Sequence, residues 1–523
     1  MANQRKSRVF RIRGLSRELP DKELEAAILE ALKDNYTDDE RSHINPKVTI
    51  VPSCYYSDTE RAALVQFGDD IPRFLHKLRD NPLEETQVET KGNDFNFDCH
   101  FFGFTQLYAP DENKQVVADV IAIAGLDGHA YGSWQGRGDL RRMWLREFLS
   151  KDLPQCRTMI YGYNSKLESH GFNTILDYGR ELIEEIKKIR NTTELQQRPL
   201  IFIAHSFGGI ILAHCLVKAR QTIEGGHPAI LSLHPATYGM ILFAIPHKGL
   251  VIDDIQQMLA GNKSHPREKL LHEISIQSDK LIDQLADFKN LIGDRKVVSF
   301  YETEQTRRLE RNPDSGLWER TGDFITIVGT DSALLQLPDC MEEKVPLNAD
   351  HSMVAKFNAR SAPGYESVRD RLLQFSKDAP KAVASRFGAS NAPTALLHES
   401  AVRKRKIRDG DSGTRMAKRA HRLNDSASSS DSQESDTTGF EGGSVSDATM
   451  QEFLDNMSGP SESHNGHSRS LIARGATSEI GPSFGRGSSS REGSSSENGL
   501  ADESDILEPD ELSLSEESIS SGC

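Results

Sequence analysis

The run Leu200-Ile201-Phe202-Ile203-Ala204-His205-Ser206-Phe207-Gly208-Gly209-Ile210-Ile211-Leu212 constrains this chain more than any other. Five apolar residues bounded by small ones read as a buried strand, and the apolar stretch after Gly209 reads as a helix. Between them the chain must reverse within about three residues around Ser206. A serine in so sharp a strand-to-helix turn holds strained backbone angles, so the residues two before and two after it must be small. Ala204 and Gly208 satisfy that need, with Ala204 standing where glycine is more usual. Such a turn lifts a hydroxyl above the end of a sheet and aims the N-terminal dipole of the next helix at developing negative charge. Ser206 is therefore a candidate nucleophile, and the backbone N–H of Phe207 a candidate oxyanion donor.

Residues 114–376 alternate apolar strands with helical patterns, as a mainly parallel α/β sheet requires. Strands are expected at 116–124, 158–163, 200–204, 239–244, 297–301, 324–328 and 345–347, with helices at 140–149, 175–190, 208–219 and 365–375. Segment 248–290 is amphipathic and interrupts the alternation, either as a lid or as a packed excursion. The glycine-rich turn Ala124-Gly125-Leu126-Asp127-Gly128-His129 follows an early strand, and the N–H of Leu126 is the second candidate oxyanion donor. On a sheet of this kind the acid and then the histidine follow the serine in the sequence. Of the downstream histidines within residues 114–376, only His351 follows the last apolar strand, where a general base must sit to reach the serine. The acid must end an intervening strand. Glu302, after Val297–Tyr301, is best placed; Asp331 and Glu304 are the alternatives. His205 reads as packed beneath the turn.

The flanks differ from this centre. Residues 8–108 read as strand, helix, strand, strand, helix, strand, with strands at 9–15, 47–52, 62–67 and 97–104 and helices near 21–32 and 71–78. That order is the ferredoxin-like α+β motif, which raises RNA recognition. An RNA-binding sheet needs aromatic side chains on its third strand, and this one offers Ala62 and Leu64. A structural or partner-binding role is expected, with no nucleic acid partner. The basic start, from Arg5 to Arg17, alternates with Phe10 and Ile12 and reads as strand rather than presequence. From Lys377 onward Ser, Gly, Asp and Glu dominate, and a disordered tail is expected over 377–523. Its last 100 residues carry 20 acids against four arginines, so the net charge of −15 belongs to the tail and the remaining body is nearly neutral. Basic clusters at 403–406 and 418–419, within 403–422, read as a nuclear-import signal or as a solvated charge run. Six scattered cysteines without a C-x-x-C pair suit a reducing compartment and give no zinc signature. No cofactor or metal is expected, nor a transmembrane helix.

A series of motifs extends the reading: Met143-Trp144-Leu145-Arg146-Glu147-Phe148-Leu149, Asp152-Leu153-Pro154, Tyr161-Gly162-Tyr163-Asn164, Gly125-Leu126, Gly128-His129, Ser133-Trp134, Ala204–Gly209, Phe243-Ala244-Ile245-Pro246-His247-Lys248-Gly249 and Ala349-Asp350-His351 with Lys356-Phe357. Over roughly residues 115–376 the chain resembles fungal α/β-hydrolase domains related to the serine-active-site-containing protein family, within the lipase-like serine esterases. The resemblance implies an α/β-hydrolase fold and a Ser206/His351 hydrolase with an acid near Phe300-Tyr301-Glu302. It also implies an acyl-ester or lipid substrate, phospholipid included, peripheral contact with endoplasmic reticulum or mitochondrial membranes, and an intracellular, unsecreted protein. Ala124 stands where the family commonly has histidine. The competing class is a hydrolase-fold scaffold without turnover, binding a protein partner through residues 8–108 or the tail.

Overall fold

A computed structural model describes residues 9–390 apart from 82, 90–93, 112, 168, 224, 260–264 and 314–317. All of these belong to the first of two compact units, Met1–Lys418. Residues 391–523, with the acidic tail and the basic clusters at 403–422, lie outside the described residues.

The first five strands are β1 (Val9–Ser16), β2 (Lys47–Pro52), β3 (Glu60–Gln66), β4 (Glu85–Glu89) and β5 (Asp94–Asp98). They form one sheet in the order β2-β3-β1-β5-β4, every neighbour antiparallel. Because side chains alternate across a strand, Phe10, Ile12, Ala63 and Val65 meet Leu24 and Ile28 of the helix Asp21–Asp34 in one core. Val9, Val51, Ala62 and Leu64 face the other way and are buried with Phe101, Tyr131 and Trp134 of the larger body. That sheet face, where an RNA-binding platform would lie, is covered by the chain itself.

The single strand expected at 97–104 is two. The β5 strand stops at Asp98, and the chain turns through Phe101 at φ 58° before β6 (Gly103–Gln106) joins the second sheet. The small domain therefore ends near Asp98 rather than at residue 108. Asp98 is drawn inward by Arg11, and both are buried.

The second sheet takes β6, β7 (Ala118–Ile123), β8 (Cys156–Gly162), β9 (Leu200–His205), β10 (Thr237–Phe243) and β11 (Lys296–Glu302). The chain then makes a separate antiparallel ribbon, β12 (Thr306–Arg311) with β13 (Trp318–Ile325), before returning as β14 (Glu342–Leu347). The order is β14-β11-β10-β9-β7-β8-β6, all parallel except β6, which runs against β8. The central strands are buried on both faces, which is why they read as continuous apolar runs. Ile121, Ile123, Phe202 and Ala204 point into the layer of helices Ile175–Ile189, Phe207–Gln221 and Asp279–Ile292. Val120, Ala122, Ile201 and Ile203 point into the opposite layer, which the helix Pro363–Ser390 closes. This is the α/β-hydrolase arrangement.

Three expectations are corrected here, and one open alternative is narrowed. The strand expected at 324–328 is the end of the ribbon, because β13 carries Glu319, Arg320, Thr321 and Asp323 and Phe324 stays half-exposed. The helix expected at 140–149 is reduced to two single turns, Trp144–Glu147 and Leu149–Asp152, with Leu140 exposed. Segment 248–290 has two readings in sequence, and the helix Asp279–Ile292, which sinks Leu281, Phe288 and Ile292 into the core, agrees with the packed excursion. The last helix does not stop at Phe375. It runs through Pro380 to Ser390, burying Ala379 and Val383, and Arg386 donates to the carbonyls of Pro235 and Thr237. The body thus ends at residue 390 or later, not at 376.

Candidate active site

The β9 strand ends at His205, and the next residue leaves the strand at φ 50°, ψ −127°. A non-glycine residue at such angles costs on the order of 1–3 kcal/mol and persists only where its surroundings over-determine it. Here the N–H of Ser206 donates to the Phe243 carbonyl at 3.0 Å, and the Ser206 carbonyl accepts from Gly209 N–H at 3.0 Å. Gly208 is obligatory: a β-carbon there would collide with the carbonyl oxygens of Ile123 and Ala124. Ala204, fully buried, supplies the other small residue.

The strand ends bring three of the predicted side chains together. Ser206 Oγ lies 3.0 Å from His351 Nε2, and His351 Nδ1 lies 2.7 Å from Glu302 Oε2. Glu302 closes β11 on the face of Val298 and Phe300 and is buried; its second oxygen accepts from Val328 N–H at 3.1 Å. His351 sits four residues beyond β14, the neighbour of β11. The alternative acids are elsewhere. Asp331 is exposed and pairs with Lys248 at 2.6 Å, and Glu304 is exposed, with only its N–H engaged, on the Ala349 carbonyl. With the imidazole proton on Nδ1 facing the carboxylate, Nε2 is left as an acceptor for the serine hydroxyl.

The turn after β7 abuts this point. A β-carbon on Gly125 would lie 3.0 Å from the Ser206 β-carbon, so the Leu126 peptide follows directly on the closest approach of the two segments. Among the described residues, no protein acceptor takes the N–H of Leu126 or of Phe207. Oxyanion stabilisation needs N–H donors of this kind beside the nucleophile.

Further residues act on His351 without having been singled out for it. His205, which reads in sequence only as packing, has its Nε2 3.0 Å from the His351 carbonyl, with the two rings 5.2 Å apart. Burial pushes the pKa of His205 down to about 3, so it stays neutral and can donate there. Thr306 Oγ1 accepts from the His351 N–H at 3.1 Å. No spacing pattern marks Thr306. Among the described residues a group of possible metal ligands, Glu85, Asp98 and His100, lies in the small domain, where Arg13 and Arg11 already occupy the carboxylates. No helix among the described residues is long and apolar enough to cross a membrane.

The strand order is that of an α/β-hydrolase, and its strand ends bring a serine, a histidine and a carboxylate into contact. Residues 119–264 match the family model described as "Putative serine esterase (DUF676)", a span that holds Ser206 and stops short of Glu302 and His351. The chain is 25% identical over 290 residues to Protein SERAC1 of Danio rerio, covering 51% of this chain and 40% of that one. It is 24% identical over 286 residues to Protein SERAC1 of Mus musculus, covering 50% and 39%. The match thus spans about two fifths of the length of these curated relatives. Nothing in these matches is specific to fungi. Similar solved structures include the mature lipase BlEst2 of Bacillus licheniformis, 14% identical with a TM-score of 0.34 over 52% of this chain and 97% of that one. Another is phospholipase PlaB from Legionella pneumophila in complex with thio-NAD, 13% identical with a TM-score of 0.32 over 54% and 64%. The fold assignment itself rests on the strand order.

Proposed function

We propose that the protein is a serine esterase acting on acyl esters, with Ser206 as nucleophile, His351 as general base and acid, and Glu302 as the orienting carboxylate. The observation that carries this reading is the continuous line Ser206 Oγ–His351 Nε2 at 3.0 Å and His351 Nδ1–Glu302 Oε2 at 2.7 Å, starting from a strained serine. Ser206 Oγ attacks the acyl carbonyl carbon as His351 Nε2 takes its proton. The carbonyl oxygen becomes an oxyanion held by the N–H groups of Phe207 and Leu126. Each such donor is worth about 10²–10³ in rate. His351 then returns the proton to the departing alkoxide, and the acyl group stays on Ser206. A water, deprotonated by the same nitrogen, attacks the acyl-enzyme and releases the acid. Glu302 stabilises the imidazolium formed in both halves. The finer reading, supported by the family resemblance, is that the ester belongs to a lipid, phospholipids included.

Fluorophosphonate labelling tests it. The wild-type chain should be labelled on Ser206, and Ser206→Ala should not. A folded wild-type chain that resists labelling would instead favour the scaffold reading.

A further inference from the structure

We propose that the small N-terminal domain braces the oxyanion turn of the hydrolase body, and that His129 is the positioning residue through which it does so. The proposal rests on the esterase reading above.

The turn that presents Leu126 is held by its own neighbours on one side. Asp127 N–H donates to the Ser165 carbonyl at 2.8 Å, and Ser165 Oγ donates to the Gly128 carbonyl at 2.8 Å. On the other side its last residue, His129, is tied to the small domain. His129 Nδ1 accepts from the N–H groups of Tyr131 at 3.1 Å and Gly132 at 2.9 Å. With Nδ1 used as an acceptor, the ring proton of the neutral imidazole sits on Nε2. That nitrogen lies 2.6 Å from the carbonyl of Cys99, the residue directly after β5, and donates to it. Desolvation pushes the His129 pKa down to about 4, so the neutral tautomer persists at any ordinary working pH.

The Cys99 carbonyl is itself fixed from the small sheet. Arg11, on the central strand β1, is buried and donates to Asp98 Oδ2 at 2.8 Å, to Thr105 Oγ1 at 2.6 Å and to the Phe102 carbonyl at 3.0 Å. The other Asp98 oxygen accepts from Phe101 N–H at 2.9 Å, and the Phe101 ring meets the His129 ring edge-on at 5.6 Å. One buried guanidinium thus sets residues 98–105, and their carbonyl at Cys99 sets the imidazole at the end of the turn. A displacement of about 1 Å in a catalytic group can cost roughly a hundredfold in rate.

His129→Asn keeps an acceptor near the Nδ1 position and loses the donor to Cys99, whereas His129→Gln keeps a donor that reaches Cys99. The second-order rate of fluorophosphonate labelling of the full chain should fall about 10- to 100-fold in His129→Asn. KM for a short p-nitrophenyl ester should stay unchanged, the thermal midpoint should fall by no more than a few degrees, and His129→Gln should recover to within about threefold of the wild-type rate. Labelling of His129→Asn at the wild-type rate, or an equal loss in both variants, would overturn the proposal while leaving the esterase reading intact. An unlabelled wild-type chain overturns both. If His129→Asn does not fold, Thr105→Val carries the test at the far end of the network. It removes one acceptor from Arg11 and should slow labelling about two- to fivefold; an unchanged rate overturns the brace.

Discussion

His351 is held at four points: its two ring nitrogens by Ser206 and Glu302, its N–H by Thr306, and its carbonyl by His205. Fixing the backbone as well as the ring leaves the imidazole little freedom except the small swing that proton transfer needs. Within this set the carboxylate decides the tautomer. Glu302→Gln keeps the acceptor for Val328 N–H but replaces the charge that faces Nδ1, so kcat should fall about 10²–10⁴-fold with KM and thermal midpoint little changed. Asp331→Ala should leave kcat at the wild-type value, since it removes only exposed contacts with Lys248 and Gln336. Steady-state kinetics of the two variants on one ester checks both expectations. The sequence narrows the base better than the acid, for a physical reason. Within residues 114–376 a single histidine follows the last strand, whereas three carboxylates follow plausible ones, and which of them is buried depends on strand pairing. Periodicity did hold a clue: in β11, Glu302 shares the parity of Val298 and Phe300, both core residues.

At the scale of elements, the strand–turn–helix at Ser206 was legible because its demands are local. Apolar runs, a serine and two small residues specify it without reference to the rest of the chain. Gly208 bears the tightest of these demands, since the space for its β-carbon is filled by backbone carbonyls that cannot rotate away. Gly208→Ala should therefore push the turn off β7, abolish labelling of Ser206 and destabilise the body by about 3 kcal/mol or more. Loss of labelling without loss of stability would mean the turn can shift as a unit. Elements set by long-range pairing were read less well. The break between β5 and β6 depends on Arg11 capturing Asp98 from 87 residues away, which no local pattern announces. The exclusion of β13 from the sheet follows from its charged, half-exposed character. Its apolar end at Phe324-Ile325 resembled a strand of the sheet only in a short window.

At the scale of the molecule, the limits of the folded body were the least legible feature. Composition changes near Lys377, yet the helix begun at Pro363 continues to Ser390 because a few apolar residues at helical spacing still meet the core. Ala379 and Val383 are buried in the same cluster as Leu372 and Phe375, and Phe387 packs against it. Arg386 adds bonds to two carbonyls and an ion pair with Asp294 at 3.0 Å. Burial of one Val side chain is worth about 1.5–3 kcal/mol. Loss of Ala379, Val383, Phe387 and Arg386 together should therefore cost several kcal/mol, a shift of roughly 5 °C in the thermal midpoint of a body this size. Pro380 lowers the intrinsic preference of this stretch for helix, so packing rather than propensity keeps it wound. A chain ending at residue 376 should accordingly melt lower or aggregate, while one ending at 390 should melt and label like the full-length protein. Equal thermal midpoints for the two truncations would show that the last 14 residues of the helix add nothing to the body. A deficit in the 390 chain would show instead that residues beyond it pack there too.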